Sequence, residues 1–366
     1  MNRFIRVYLL PGAVMQSVMI GGAYATGREI AEFFTQYGMG GGTLGLAVAA
    51  VCIALVFALS LDVARRFQVF DYRRFARVLL GRAWFLYEIV AITLILLVVA
   101  VIAAASGRIL ADEFGLPVTL GGAAMLVGVV ALVFFGRSWV TTILAFWSIL
   151  LYVVFLSYLV SAFVWFDPTD AAREFVARDG WLLSGLQYAF YNVSAIPVVL
   201  YSAMAIETRR EAITAGIVGA LIAVLPALML HLSFAVDYPG IVGSELPVYD
   251  LLARLDLGLL KFCYLLVIFG TFIETGAGSI QGIVERIEGA LFEKRGTGLG
   301  RREHALIAAG IVLAAIALSL VGIIALVAEG YGAIAWGFLL FYITPLLTVG
   351  VYRLYLAPGS GQGAGP

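Results

Sequence analysis

Residues Gly21-Gly22-Ala23-Tyr24-Ala25-Thr26-Gly27 sit inside an apolar run from about Val7 to Phe34. Such a run spans a bilayer as a helix, which needs about 20 apolar residues. Glycine at three of these seven positions weakens the helix at mid-membrane. Backbone released from its ladder at that depth has no water to bond, so it persists only against protein or beside a cavity. The stretch therefore reads as a broken membrane helix facing an internal site.

The rest of the chain supports a membrane setting. Of 366 residues, 63% are hydrophobic and 13% are charged, and the mean hydropathy is +1.03. So few charges cannot cover a soluble protein of this length, and a disordered chain would be polar. The 23 basic and 23 acidic residues cancel, and no basic run marks a nucleic-acid partner. No long alternating pattern suggests an outer-membrane barrel.

Ten candidate spans follow: about Val7–Phe34, Gly42–Ala64, Phe85–Leu110, Val118–Phe135, Val140–Val164, Leu182–Ile206, Ile213–Val236, Leu257–Ile283, Ala305–Val327 and Tyr331–Leu356. With the N-terminus inside, the arginines from Arg65 to Arg82, Arg209 with Arg210, and Arg301 with Arg302 are cytoplasmic. The outer segments hold only Arg108, Arg173, Arg178, Arg254 and Lys261. Basic residues favour the cytoplasmic side, so the expectation is a multi-pass protein of the cytoplasmic (inner) membrane with both termini inside. Residues 1–366 read as a single transmembrane domain whose Gly- and Pro-rich tail, 357–366, is expected to be flexible.

The sixth span is interrupted at a place corresponding to the first, in Tyr191-Asn192-Val193-Ser194-Ala195-Ile196-Pro197. Pro197 removes a backbone donor and crowds the preceding turn, while Asn192 and Ser194 can bond freed backbone groups. Interrupted segments in corresponding positions of two halves point to a transporter site. Five is an odd number, so the second half begins on the opposite side of the membrane. The halves, about 5–166 and 180–356, are expected to form an inverted repeat.

Ten spans with breaks in the first and sixth resemble the LeuT fold of the amino acid–polyamine–organocation (APC) superfamily. The stretches Gly21-Gly22-Ala23-Tyr24-Ala25-Thr26-Gly27-Arg28-Glu29-Ile30 and Glu274-Thr275-Gly276-Ala277-Gly278 are similar to the YkvI-like membrane proteins. The resemblance implies an all-α 5+5 fold and secondary transport by alternating access.

An ionisable group at mid-span is a functional hypothesis by default, and Glu274 lies near the middle of the eighth span. Thr271 shares its helix face and Thr275 adjoins it. The resemblance implies an ion site of the Val18 and Gly21 carbonyls with Thr271, Glu274 and Thr275, suited to Na+. Relatives usually carry small hydroxyl residues on that span, so Glu274 is a departure, and it could instead carry H+. No cofactor is expected.

Arg28 has two readings. It can pair with Glu32 one helical turn away, or, as the resemblance implies, form an outer gate with Glu329. Asp62 and Glu88 read as interface or ion-pair residues, and the arginine-rich amphipathic run Phe67–Leu80 as a helix on the inner membrane surface. His231 reads as packing or as a pH sensor. His304 is assigned no role. Cys52 and Cys263 lack metal-type spacing. In this fold the loop Asp237–Leu255 is expected to cover the outer vestibule.

Half-helix ends suit both charges of a zwitterion. The substrate-binding candidates are Gly21, Gly22, Ala23, Tyr24, Thr26, Tyr188, Tyr191, Asn192 and Ser194. No carboxylate is expected inside either break, which weakens an organic dication. The reading is transport of a small amino acid or related amine, coupled to Na+ or H+. A monomer in lipid suffices for it. The alternative is a ligand sensor of the same fold. No H-E-x-x-H or other catalytic spacing points to an enzyme, and no selectivity motif points to a channel.

Overall fold

The computed structural model describes residues 2–135, 150, 153–295 and 298–356. The start of the expected fifth span, from Val140, and the tail 357–366 lie outside the described residues. Among the described residues every regular element is helical. Seven helices of the described residues are long and apolar enough to cross a membrane: Arg28–Phe67, Tyr72–Phe114, Trp181–Ala203, Arg209–Val236, Gly258–Phe292, Arg302–Ser319 and Ile323–Tyr355. Shorter apolar helices, Ile5–Met19, Val118–Ala131 and Val153–Trp165, fall in the first, fourth and fifth expected spans.

The first span is broken twice. Helix Leu10–Met19 ends at Ile20, and Gly21 is extended at φ −117° and ψ −171°. One helical turn follows, Gly22–Thr26, closed by Gly27 at φ +84°. Only glycine adopts that conformation freely, and a β-carbon there would also lie 2.7 Å from Phe234 Cζ. The chain resumes as helix Arg28–Phe33. The sixth span breaks less sharply. Helix Trp181–Asn192 tightens through Val193 and Ser194, which keep helical dihedrals, before helix Ala195–Val199. The amide of Ser194 donates to the Tyr191 carbonyl three residues back, 3.2 Å away.

Small residues bring the surrounding helices close. A β-carbon on Gly216 would lie 2.4 Å from the Ala58 backbone nitrogen, and one on Gly12 would lie 2.5 Å from Gly219 Cα. The first half of the first span, helix Gly38–Phe67 and helix Arg209–Ser233 thus approach almost backbone to backbone, as small residues allow in membranes. Thr208 and Glu211 form a reciprocal capping box at the start of Arg209–Ser233.

The amphipathic run forms helix Tyr72–Leu80, capped by Asp71, which accepts from the Arg74 amide at 2.9 Å. Its apolar residues Phe75, Ala76 and Leu79 are buried. These residues pack against the neighbouring helices Trp84–Phe114 and Leu346–Gly350. Asp62 and Glu88 are ion-pair residues, with Arg65 Nη2 at 2.6 Å from Asp62 and Arg286 Nη1 at 2.8 Å from Glu88. His231 is wholly buried, 2.9 Å from Thr35 Oγ1 and 3.0 Å from the Met39 carbonyl, and touches Gly42. That is the packing role. His304 Nε2 lies 3.3 Å from Glu288.

Candidate substrate and ion site

A partly open cavity of about 460 Å³ lies between the two broken helices, within the size range of small-molecule sites. The first span contributes Val18, Gly21, Gly22 and Ala23, and the sixth contributes Tyr191, Asn192 and Ser194. Glu274 and Thr275 come from helix Gly258–Arg295 and Tyr331 from a π-helical turn, Leu326–Tyr331, in the last span. The lining continues past Gly282 to Arg286 and Tyr87. It is mostly apolar.

The break packs on the eighth-span helix. A β-carbon on Gly21 would lie 3.2 Å from Thr275 Cγ2, 3.6 Å from its hydroxyl and 3.9 Å from the Val18 carbonyl. Four of the five expected ion residues line the cavity: Val18, Gly21, Glu274 and Thr275. Thr271 does not line it; the side chain is buried and donates to the Val267 carbonyl at 3.0 Å. Glu274 is half-buried. The hydroxyl of Tyr264 donates to the Ala25 carbonyl at 2.9 Å and ties the same helix to the first break.

Other expected binding residues are elsewhere. Tyr24 lines a second, apolar cavity of about 250 Å³ on the other side of the first span, with Ala25 and Tyr264. Thr26 is buried; its hydroxyl donates to the Ala23 carbonyl at 2.7 Å and accepts from the Arg28 amide at 3.2 Å, stitching the second break. Tyr188 packs behind Tyr191 at a centroid distance of 5.5 Å. Its buried hydroxyl has no hydrogen-bond partner among the described residues.

Glu29 belongs to the site although the sequence reading gave it no role there. It is 5% exposed yet lines the cavity, and accepts a 2.6 Å hydrogen bond from the Tyr191 hydroxyl. This bond joins the second half of the first span to the sixth. No carboxylate lies inside either break, as expected, but Glu29, just past the first, reaches the cavity beside them. The signal in the sequence was a second intramembrane acid two residues after Gly27.

Arg28, 2% exposed, points away from the cavity. Its Nη2 meets Glu32, and its Nη1 donates to the carbonyls of Val242 and Ser244, each at 2.7 Å. The loop after helix Arg209–Ser233 therefore closes over the second break, where Pro247 and Val248 adjoin Gly27. The expected Arg28–Glu329 gate is not formed; Glu329 is exposed, and loop carbonyls and Glu32 engage both Nη atoms of the guanidinium, while Nε is buried with no hydrogen-bond partner among the described residues.

No family model matches the chain. The uncharacterized membrane protein YkvI of Bacillus subtilis (strain 168) is 26% identical over 289 residues, covering 76% of this chain and 80% of that protein. A mutant of the Eremococcus coleocola manganese transporter superposes with a TM-score of 0.51 at 15% identity, over 97% of this chain and 89% of that one. The same transporter bound to an aromatic bis-isothiourea compound gives 0.53 at 13% identity, over 96% and 95%. The fold is LeuT-like. In sequence the chain is similar to the YkvI membrane protein.

Proposed function

We propose that this protein is a secondary active transporter that moves a small amino acid or related amine by alternating access. The observation that carries the reading is the cavity between the two broken helices, with Glu29 and Glu274 in its otherwise mostly apolar wall. Carboxylates in such a wall favour a cationic group, either on the substrate or as a coupling ion. Widely spread apolar lining suits an organic amine better than a bare metal ion, the substrate named for the manganese transporter.

In this reading the chain crosses the inner membrane ten times, in two inverted sets of five, with both termini cytoplasmic. The cavity then extends toward the cytoplasm past Arg286, while Arg28 and the Val242–Ser244 loop close the outer side. Na+ or H+ binds at Val18, Gly21, Glu274 and Thr275, and its gradient drives the closed and open states. No enzyme chemistry is part of the reading.

The test is a thermal-shift screen of amino acids and amines, with and without Na+ and across pH, followed by counterflow in proteoliposomes. A ligand of the folded state raises the melting temperature. Ligand-specific counterflow is the expected result. Binding without counterflow would overturn transport in favour of a sensor.

A further inference from the structure

We propose that Glu29, with Tyr191 and Tyr331, recognises a protonated amino group, and that the substrate is an organic ammonium compound that needs no carboxylate. The proposal rests on the cavity assigned above to transport and sharpens its substrate class.

The charges of the cavity wall carry the argument. Glu29 accepts from Tyr191 through one oxygen, Oε2, and makes no ion pair among the described residues. A carboxyl group removed from water with one neutral donor holds its charge only beside a positive partner. The neighbouring Arg28 does not supply it, being held by Glu32 and two loop carbonyls. Arg286, the basic residue of the lining, does not supply it either. Its guanidinium pairs with Glu88 at 2.8 Å and stacks 4.1 Å from the Tyr72 ring centroid. A positive partner for the charged form of Glu29 must therefore enter from the cavity.

The aromatic groups fit that partner. The rings of Tyr191 and Tyr331 lie 5.1 Å apart, both on the lining beside Glu29. Aromatic faces attract an alkylammonium ion and cover its methylene groups. A substrate carboxylate finds the opposite. The wall holds two acids, Glu29 and Glu274, and no basic group that is not already paired. The helical turn Gly22–Thr26 is five residues long, so it carries little of the dipole that would draw an anion. Decarboxylation of an amino acid keeps the group the wall attracts and removes the one it repels.

The experiment compares matched pairs on the full-length protein in nanodiscs: isobutylamine against valine, and phenethylamine against phenylalanine. Affinities come from thermal shift and calorimetry, for the wild type and for Glu29→Gln and Glu29→Asp. Gln keeps the shape and the bond from Tyr191 but removes the charge. The expected result is that the amines bind more tightly than their amino acids. Glu29→Gln then weakens the amines by about 10- to 100-fold, the value of a charge-assisted hydrogen bond, while Glu29→Asp retains part of the affinity. Amino acids binding as tightly as the amines would overturn the proposal. So would unchanged amine affinity in Glu29→Gln, or no binding of either amine to the wild type. Counterflow is read separately: amine binding that depends on Glu29, without counterflow, would sink the transporter reading and leave the ammonium site standing.

Discussion

The methyl group of Thr275 packs against the extended backbone of Gly21, so that a β-carbon on Gly21 would lie 3.2 Å from Thr275 Cγ2. The contact joins the break of the first span to the eighth-span helix that also carries Glu274. Gly21→Ala has no left-handed conformation to oppose it, since Gly21 is at φ −117°. Its cost is the contact alone, about 1 kcal/mol at the low end of overpacking. Thr275→Ser removes that methyl group, so the double variant is expected to recover the melting temperature. Additive losses in the two variants would show that the contact is not the cause.

Glu274→Gln tests the ion site. The side chain makes no structural ion pair among the described residues, and Gln matches its shape. The melting temperature is expected to stay near the wild-type value. Gradient-driven uptake is expected to fall to the level seen without a gradient, while counterflow, which needs no net driving ion, persists. Uptake still driven fully by a Na+ or H+ gradient would exclude Glu274 from coupling.

Arg28 is the clearest stability prediction. Arg28→Ala leaves the Val242 and Ser244 carbonyls without this donor and Glu32 without its cation, with Gln36 alone donating to it. Removing one member of a buried pair costs about 3–5 kcal/mol. The charge swap Arg28→Glu with Glu32→Arg is expected to recover part of this, whereas Arg28→Glu with Glu329→Arg is not, because Glu329 is exposed. Thermal melting of the variants separates the two pairings.

These residues also show what the sequence made legible. The first break was readable because glycine loses the most on entering a helix, and Gly21, Gly22 and Gly27 stand together. The Arg28–Glu32 pair was readable because the spacing lies within one uninterrupted helix, Arg28–Phe33. Glu29 was not, because the left-handed turn at Gly27 resets the rotation of the chain. The direction of every side chain after it cannot be extrapolated from Tyr24. Tyr24 failed for the related reason that Gly21 and Gly22 rotate the preceding turn, leaving it on the second cavity. The choice of Glu329 failed because the competing partners, two carbonyls of a distant loop, have no side-chain signature.

The helix approaches give a paired test of packing. On Gly216, in helix Arg209–Ser233, a β-carbon would lie 2.4 Å from the Ala58 nitrogen and 2.5 Å from Ala58 Cα. Those are backbone atoms, so helix Gly38–Phe67 must move as a body to admit it. Gly216→Ala is expected to cost about 1–3 kcal/mol through this overpacking, in spite of the better helix propensity of alanine. Gly310 is the control. It lies inside helix Arg301–Ser319, is exposed, and nothing stands within 4 Å of its β-carbon position. Gly310→Ala therefore keeps only the propensity gain, up to about 1 kcal/mol. The melting temperature should fall for the first variant and hold or rise for the second. Equal shifts of the same sign would mean that backbone contact between these helices does not limit the packing.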